Sequence, residues 1–472
     1  MQSSPPNVVL IVTDDQGPWA LGAAGNDEIS TPTLDRLAAD GLRLSRFFCV
    51  SPVCSPARAS LYTGQIPSQH GVHDWLSAGH VGPAAIDHLA GRPLFTDALA
   101  RAGYRCGLVG KWHLGANDRP RPGFVHWFAH QLGGGPYYDA PVVRDGELTT
   151  QPGYLTDALA ADACAFVRRE AARPEPFFLA VQFTAPHSPW LDNHPAELTD
   201  LYRDCAFDSC PQPDPHPWAR LDVHGRQTQC DGDVRGSLIG YFAAVSGVDR
   251  AVARVLHALD AAGVREQTLV VFTSDNGFNC GHHGVWGKGN GTVPQNMYDT
   301  SVLVPFIANH PHRIPAGRVS AQMVSGYDFA PTLLDYLGVD YQPPQDAPGR
   351  SFAALLRDAP ASADSPGQRE HVVVFDEYGP ARMIRTPAAK YVYRHPNGPH
   401  EFYDLSVDPG EEHNLVGDPA RRSTVRELHG ELSAWFAAHV EHANDGIRLP
   451  VSGYGQRNRA REPHAFVAAD GS

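Results

Sequence analysis

The stretch Cys54-Ser-Pro-Ala-Arg58 places a thiol and a guanidinium group four residues apart. Proline suits the first turn of a helix, where its missing N–H costs nothing, so Pro56 puts Cys54 just ahead of a helix N-terminus. Arg58 then follows one turn later on the same side of that helix. Because both the helix dipole and the guanidinium favour an anion at position 54, the pattern alone predicts a thiolate nucleophile of lowered pKa.

Oxygen ligands follow two of the predicted strands. Asp14-Asp15 comes after the first strand, and Asp275-Asn276 comes after a later one. In a doubly wound sheet, ligands bind at the carboxyl ends of the strands, so we expect these side chains to meet at one edge. Three carboxylates and an amide suit a hard divalent ion such as Ca²⁺ or Mg²⁺. A single pair of acids after a strand is more often a cap or a turn, so the prediction depends on the whole set.

Cationic and proton-carrying groups follow two further strands. Lys111 and His113 are two residues apart on a strand and therefore point to the same face, with Trp112 opposite. His187 ends the run Ala185-Pro-His187 after another strand. Each of these residues could simply be a solvated strand end or a structural histidine. A cysteine nucleophile, in turn, would need a base but no site of three carboxylates.

The elements that must position these groups alternate along the chain between short β-rich runs and helical runs. This alternation predicts an α/β fold with a large, mostly parallel sheet sandwiched by helices. The predicted strands span 7–13, 104–112, 177–183, 268–273 and 302–307, and the predicted helices span 33–40, 94–102, 155–169 and 237–262.

The pattern changes beyond about residue 362. Strands at 372–375, 381–385 and 390–393, followed by a helix at 424–439, predict a smaller C-terminal antiparallel sheet plus helix. We therefore expect a catalytic α/β domain over residues 1–361 and a small α+β subdomain over residues 362–472. Residues 190–234, rich in Pro, Asp and His, are expected to form a long loop excursion from the main sheet.

Composition excludes several classes of partner. The formal charge of −14 argues against nucleic acid and against an anionic membrane surface, because both require a basic protein surface. The N-terminal residues show no basic segment followed by a long apolar run, so we expect no signal peptide, no membrane span and a cytoplasmic protein.

Three of the eight cysteines, Cys205, Cys210 and Cys230, lie near His216 and His224 and raise the question of a zinc site. Their spacings match no common zinc pattern, so free thiols in a loop are the simpler interpretation.

The motif Cys54-Ser-Pro-Ala-Arg58, followed by Leu61 and Thr63-Gly64, resembles the type I sulfatases of the alkaline phosphatase superfamily. The stretch Gly103-Tyr-Arg-Cys-Gly-Leu-Val-Gly-Lys-Trp-His-Leu114 is similar to the second signature of that family. The acidic pairs, His187 and Gly287-Lys-Gly289 fall in the family's order, so the resemblance spans nearly the whole chain.

The resemblance implies that Cys54 is oxidised after synthesis to formylglycine, an aldehyde whose hydrate is the nucleophile. The modifying partner would be a formylglycine-generating enzyme or an anaerobic sulfatase-maturating enzyme. The implied metal ligands of one Ca²⁺, or less favourably Mg²⁺, are Asp14, Asp15, Asp275, Asn276 and the modified side chain of Cys54.

The resemblance also implies roles for the cationic groups. Arg58 would steady the hydrate, while Lys111 and Lys288 would bind sulfate oxygens and neutralise charge in the transition state. His187, together with Lys288, would donate a proton to the departing alcohol, and His113 would take a proton from the second hydroxyl.

The sequence departs from the family pattern in three places. Cys106 stands where Ser or Thr is usual, the segment after Lys288 is longer than the common form, and Leu303 replaces a usual arginine. The last two changes affect the leaving-group side. We therefore expect alcohol specificity to lie in residues 277–299 and 190–234.

His283 and Trp286 are the candidate substrate-binding residues within that part of the chain. Trp286 could offer a flat face to a ring and His283 a hydrogen bond to a hydroxyl, although either could simply pack the loop.

The predicted function is a sulfatase that hydrolyses a small-molecule sulfate monoester, with a carbohydrate sulfate favoured over an aryl or alkyl sulfate. The alternatives are a phosphodiester or phosphonate monoester hydrolase of the same superfamily, since the same site can hold either tetrahedral anion, and a non-catalytic binder of sulfated ligands.

Overall fold

The computed structural model describes residues 5–78, 80–230, 232–357, 369–376 and 381–467. The strands of this part of the chain are β1 (Asn7–Asp14), β2 (Leu42–Phe48), β3 (Arg105–Lys111), β4 (Phe124–His130), β5 (Ala140–Arg144), β6 (Glu147–Gln151), β7 (Phe177–Pro186), β8 (Thr268–Ser274), β9 (Asn279–Cys280), β10 (Trp286–Gly287), β11 (Leu303–Asn309), β12 (Arg318–Ser320), β13 (Val324–Ser325), β14 (Val372–Asp376), β15 (Ala381–Arg385), β16 (Ala389–Arg394) and β17 (Glu401–Asp404).

The large sheet has the strand order β12-β2-β11-β8-β1-β7-β3-β4-β5-β6, with β13 also paired to β2. Its central run from β8 through β1, β7 and β3 to β4 is parallel, while β11, β5 and β6 pair antiparallel with their neighbours. Parallel strands point their carboxyl ends to one edge of the sheet. The ends of β1, β3, β7 and β8 therefore meet where the sequence predicts the polar groups to lie.

Helices cover both faces of this sheet. The helices of the described residues are α1 (Pro32–Ala39), α2 (Cys54–Thr63), α3 (Pro67–His70), α4 (Phe95–Arg101), α5 (Leu155–Glu170), α6 (Ala196–Thr199), α7 (Val234–Ala261), α8 (Asp299–Val302), α9 (Phe329–Leu337), α10 (Ala353–Leu356) and, in the C-terminal part, α11 (Arg422–His439). Within the described residues, none of these helices is long and apolar enough to cross a membrane.

Strand β1 shows why the sheet is buried on both faces. Val9 and Ile11 pack with α1, α5 and α7 in one apolar cluster, whereas Val8, Leu10 and Val12 pack with α2, α4 and α9 in another. Alternate side chains of a strand point to opposite faces, so a strand between two helical layers is apolar at every position. The predicted sandwich of helices around a mostly parallel sheet is confirmed.

The C-terminal part is an antiparallel sheet of β14 to β17 in sequence order, covered by α11. Leu428, Leu432 and Phe436 of the helix pack in a cluster that also contains Val50 and Ile66 from the N-terminal part of the chain. The predicted small sheet with one helix is confirmed. The predicted boundary between residues 361 and 362 lies outside the described residues, and the division into two domains stays a prediction.

Candidate active site

Three strand ends deliver charged groups to one place. Asp14 ends β1 and is followed by Asp15, Lys111 ends β3, and Asp275 follows the last residue of β8. Lys111 Nζ donates to Asp14 Oδ2, and all these side chains are buried. Burying like-charged carboxylates together is costly unless cations accompany them. Lysine and arginine side chains supply that charge here.

Cys54 is the first residue of α2, so the helix begins slightly earlier than the Pro56 pattern predicts. Its Sγ donates to Asp14 Oδ1 at 3.2 Å and accepts from Lys288 Nζ at 2.8 Å. Burial, followed by the charge of Asp14, raises the pKa of the Cys54 thiol to about 12. The thiolate of lowered pKa predicted from the helix N-terminus alone is therefore wrong. Desolvation and a neighbouring carboxylate outweigh the helix dipole and the nearby cations.

Arg58 lies one turn into α2 and is fully buried. Its Nε donates to Asp275 Oδ2 at 2.8 Å, and its Nη1 donates to the Lys111 carbonyl at 3.0 Å. Gln182 Oε1 on β7 is a further acceptor for the Nη1 atom. The guanidinium thus joins α2 to the ends of β3 and β8 and to the middle of β7, which fixes its position relative to Cys54.

The acidic cluster has the donor chemistry of a cation site. Oxygen atoms of Asp14, Asp15 and Asp275 lie within 4.8 Å of one another. Asn276 Nδ2 donates to Asp15 Oδ1 at 2.7 Å, while Asn276 Oδ1 is buried without a hydrogen-bond partner. Burial and then the charge of Asp14 raise the pKa of Asp275. Three buried carboxylates beside an unpartnered amide oxygen fit a hard divalent cation.

His113 follows β3, and its orientation is set by the carbonyl of Leu76. A carbonyl can only accept, so the His113 Nε2–H group donates to Leu76 O at 3.0 Å. The other ring nitrogen, Nδ1, is buried and has no hydrogen-bond partner. Burial and the charge of Lys111 lower the His113 pKa well below its usual range. The residue is therefore a neutral imidazole with a free lone pair on Nδ1.

His187 follows β7 and faces the same site. Its Nδ1–H donates to the Ser188 carbonyl at 2.7 Å, and Tyr137 Oη donates to the His187 carbonyl at 2.7 Å. The Nε2 atom lies 3.7 Å from Asp15 Oδ2. Because 26% of the side chain is exposed, His187 can contact a ligand in the adjoining cavity.

A cavity of about 470 Å³ opens onto these groups. Asp15, Cys54, His113, His187 and Lys288 form part of its lining. The rest of the lining includes Trp75, Leu76, Ser77, His80, Leu132, Gly133 and Gly134, which the sequence analysis did not identify, and Thr228, Gln229 and Asn290, which lie in the two segments predicted to set alcohol specificity. The adjacent glycines at 133–134 are the one local signal that could have marked a close approach of backbone to the site.

The structure does not bring the two predicted substrate-binding residues to this cavity. Trp286 is only 2% exposed, its Nε1 donates to Gln212 Oε1 at 3.1 Å, and its ring packs against Trp190. His283 stacks on Tyr298 with ring centroids 3.8 Å apart. Both side chains pack the loop, because Trp190 covers Trp286 and Tyr298 covers His283. Packing of the loop was the alternative interpretation of these two residues.

The cysteines of the excursion form no metal site within the described residues. Cys210 and Cys230 are buried in the apolar cluster around α7, and Cys205 Sγ donates to Glu28 Oε1 at 3.6 Å. Tyr298 shares a hydrogen bond with His216, whose other ring nitrogen accepts from the Trp218 amide. The simpler interpretation, thiols that pack the loop, agrees with these contacts.

A sandwiched parallel sheet with a buried acidic cluster, two lysines and an arginine at its carboxyl edge defines a hydrolase of the alkaline phosphatase superfamily. The sulfatase family model matches residues 6–339. The family model of the N-sulphoglucosamine sulphohydrolase C-terminal region matches residues 281–437. The chain belongs to the sulfatase family and is a sulfuric ester hydrolase. Sulfatases generally use a metal ion and a formylglycine.

Curated relatives and solved structures agree with this assignment. The chain is 26% identical to an N-acetylglucosamine-6-O-sulfatase of Bacteroides thetaiotaomicron, over 90% of this chain and 85% of the relative. It is 31% identical to the N-acetylgalactosamine-6-sulfatase of Canis lupus familiaris, over 72% of this chain and 64% of that protein. A protein solved in complex with its substrate D-glucosamine-2-N,6-O-disulfate shares the fold, with a TM-score of 0.78 and 24% identity over 94% of this chain and 100% of that one.

Proposed function

We propose that this protein hydrolyses a carbohydrate sulfate monoester to the free sugar and inorganic sulfate, using a formylglycine made from Cys54 and a bound Ca²⁺, with Mg²⁺ as the alternative ion. The observation that carries the proposal is the convergence of two lysines, one arginine and three carboxylates around the Cys54 side chain. The curated relatives, both named as sulfatases of amino sugars, support a sugar as the alcohol.

The residues that would hold the ion are Asp14, Asp15, Asp275 and Asn276. When present, the ion supplies a Lewis acid for the sulfate oxygens, and the hydrated aldehyde supplies a nucleophilic oxygen. The partner that such a modification requires is a formylglycine-generating or anaerobic sulfatase-maturating enzyme.

Two lysine side chains of this chain, Lys111 and Lys288, would neutralise the sulfate. Lys288 Nζ lies 2.8 Å from Cys54 Sγ. Lys111 Nζ donates to Asp14, whose other carboxylate oxygen accepts from Cys54 Sγ. Both ammonium groups are buried, and charge stabilisation is strongest where water is excluded. Arg58, tied to Asp275, holds the start of α2 against the strand ends and keeps position 54 in place.

The two histidines divide the proton transfers. His113 carries a free lone pair on Nδ1 while Leu76 holds its Nε2–H, so it acts as the base for position 54. His187 gives a proton to the departing alcohol. It lines the cavity, and its Nε2 lies 3.7 Å from Asp15 Oδ2. A general acid and a general base must each lie within hydrogen-bond reach of the atom that they serve.

Peptide mass spectrometry of active protein tests the modification. We expect an aldehyde at position 54, full loss of activity in Cys54→Ala, and wild-type activity in Cys49→Ala, another buried cysteine that does not line the cavity. Full activity with an unmodified thiol would refute the mechanism.

Parallel rates on matched sulfate, phosphodiester and phosphonate monoesters test the reaction class. A faster phosphonate or phosphodiester reaction would assign the alternative hydrolase function, and binding of sulfated sugars without turnover by fully modified protein would assign the non-catalytic one.

A further inference from the structure

The lining of the cavity is charged at the sulfate end and uncharged elsewhere. Among the described residues that line it, Lys288 is the one lysine or arginine, and its Nζ already contacts Asp15 and Cys54. The remaining walls include Trp75, Leu132 and Gln229. This part of the cavity offers apolar surface and neutral polar atoms to whatever group carries the sulfate.

His80 adds no positive charge to this lining. Its Nε2–H donates to the Leu76 carbonyl at 3.0 Å, the same oxygen that holds His113. Burial lowers the His80 pKa. The imidazole is therefore neutral near pH 7, and the wall formed by Trp75, Leu76, Ser77 and His80 carries no charge.

Trp75 presents the largest apolar surface of this uncharged part. It is 36% exposed, whereas the other tryptophan of the lining, Trp190, is 2% exposed. Exposed apolar surface inside a cavity usually marks a site that a ligand covers. An indole face is large, flat and rigid, and it suits the C–H groups on one face of a sugar ring.

The C-terminal loop 453–458 fixes the main chain around Trp75. Gln456 N donates to Trp75 O at 2.8 Å, and Gln456 Oε1 accepts from His73 N at 2.9 Å. Asp74 Oδ2 accepts from Gly453 N and Gly455 N at 3.1 and 3.0 Å. On the other side, Leu76 N donates to Ser55 Oγ, next to Cys54.

Gly455 brings the loop backbone close to the indole, since a Cβ at this position would lie 3.3 Å from Trp75 Cε2 and 2.9 Å from Ser77 Cβ. The platform is thus preorganised relative to position 54, which lowers the entropy cost of binding.

We propose that the alcohol is an uncharged sugar ring packed against Trp75, and that a second anionic group on that ring is rejected. This inference rests on the proposed sulfatase function. Enclosing a sulfate or carboxylate against these walls would desolvate it where the lining offers no lysine or arginine, and such a cost selects against the charged competitor.

Competition against turnover of 4-nitrophenyl sulfate tests the charge rule. The probes are N-acetylglucosamine 6-sulfate, N-acetylgalactosamine 6-sulfate and D-glucosamine-2-N,6-O-disulfate. We expect the inhibition constant of the better monosulfated sugar to be at least about tenfold lower than that of the disulfate. This factor corresponds to a difference of about 1.4 kcal/mol in binding free energy. Equal or tighter binding of the disulfate would overturn the inference. Absence of any 4-nitrophenyl sulfate turnover would count instead against the proposed function.

Two variants test the platform. Trp75→Ala should raise the inhibition constant of the monosulfated sugar about tenfold and leave that of inorganic sulfate unchanged, because sulfate binds only to the cationic groups. Tyr454→Ala is the matched control, since Tyr454 is equally exposed, lies in the loop 453–458 and does not line the cavity. It should leave both constants unchanged. Equal losses for sugar and sulfate in Trp75→Ala, or no loss for the sugar, would overturn the assignment.

Discussion

Gly133 lies directly against the imidazole of His113. A Cβ atom at this glycine would fall 2.2 Å from His113 Cε1, and one at Gly134 would fall 2.7 Å from His187 Cε1. Both distances are far below van der Waals contact, so only glycine fits at either position without moving a histidine. Two successive residues of one loop therefore cover the two groups that we assign to proton transfer.

Gly133→Ala should reduce kcat about 100-fold, because a shift of about 1 Å in a proton-transfer group has an effect of that size. Metal content should change little, since the cation site lies on other residues. Steady-state kinetics and bound-metal analysis check this. Gly430→Ala on α11 is the control, because a Cβ there meets nothing within 4 Å. Unchanged kcat in Gly133→Ala would show that the loop moves freely away from His113.

Arg58→Met should lower the free energy of unfolding by about 3–5 kcal/mol, because it leaves the buried Asp275 carboxylate without its guanidinium. The two side chains are both 0% exposed and lie 2.8 Å apart. Urea unfolding measures the change. The control is Arg36→Met, whose ion pair with Asp40 is largely exposed and should contribute less than about 1 kcal/mol. A similar small loss in both variants would contradict the burial argument.

Removal of the metal by a chelator should abolish turnover and lower Tm, because the folded state then loses the free energy of binding a divalent ion. Ca²⁺ or Mg²⁺ should restore both properties. Asp275→Asn should not recover Tm on adding either ion, whereas Asp162→Asn, at a carboxylate paired with His126 and Arg144, should behave like wild type. Elemental analysis that recovers stoichiometric zinc would contradict a site of hard oxygen ligands.

Trp286→Ala should cost about 3–5 kcal/mol of stability and leave the KM of the folded protein unchanged. The indole is packed against Trp190 and hydrogen-bonded to Gln212, so its truncation opens a cavity in the loop. Thermal unfolding and kinetics on the same samples measure both effects. A stable variant with a raised KM would contradict the packing role and show that Trp286 binds substrate.

The sequence was sufficient to predict the sheet edge and the groups it carries. Strand ends are local features, and the parallel order of the central strands brings Asp14, Lys111 and Asp275 together without further information. The position of Cys54 at the start of α2 followed equally from Pro56. Residues assigned from these local patterns lie together at the carboxyl edge of the sheet.

The cavity walls could not be predicted in this way, because they depend on contacts between distant parts of the chain. Trp75 lines the cavity only because Gln456, 383 residues beyond His73, holds the loop that carries it. Trp286 was assigned from its closeness in sequence to Lys288, yet adjacent residues of an irregular loop point in different directions. The protonation state of Cys54 likewise depends on burial, which the helix N-terminus alone does not reveal.

The burial of Cys54 also limits the time at which a modifying enzyme could reach this side chain. A side chain that is 3% exposed at the base of the cavity cannot be reached by a second enzyme once the protein has folded. The proposed modification at position 54 would therefore take place while this segment is still open. Because residues 453–458 complete the wall beside it and are synthesised well after position 54, synthesis of the chain itself provides that interval. A faster-folding variant of this protein would leave the modifying enzyme less time.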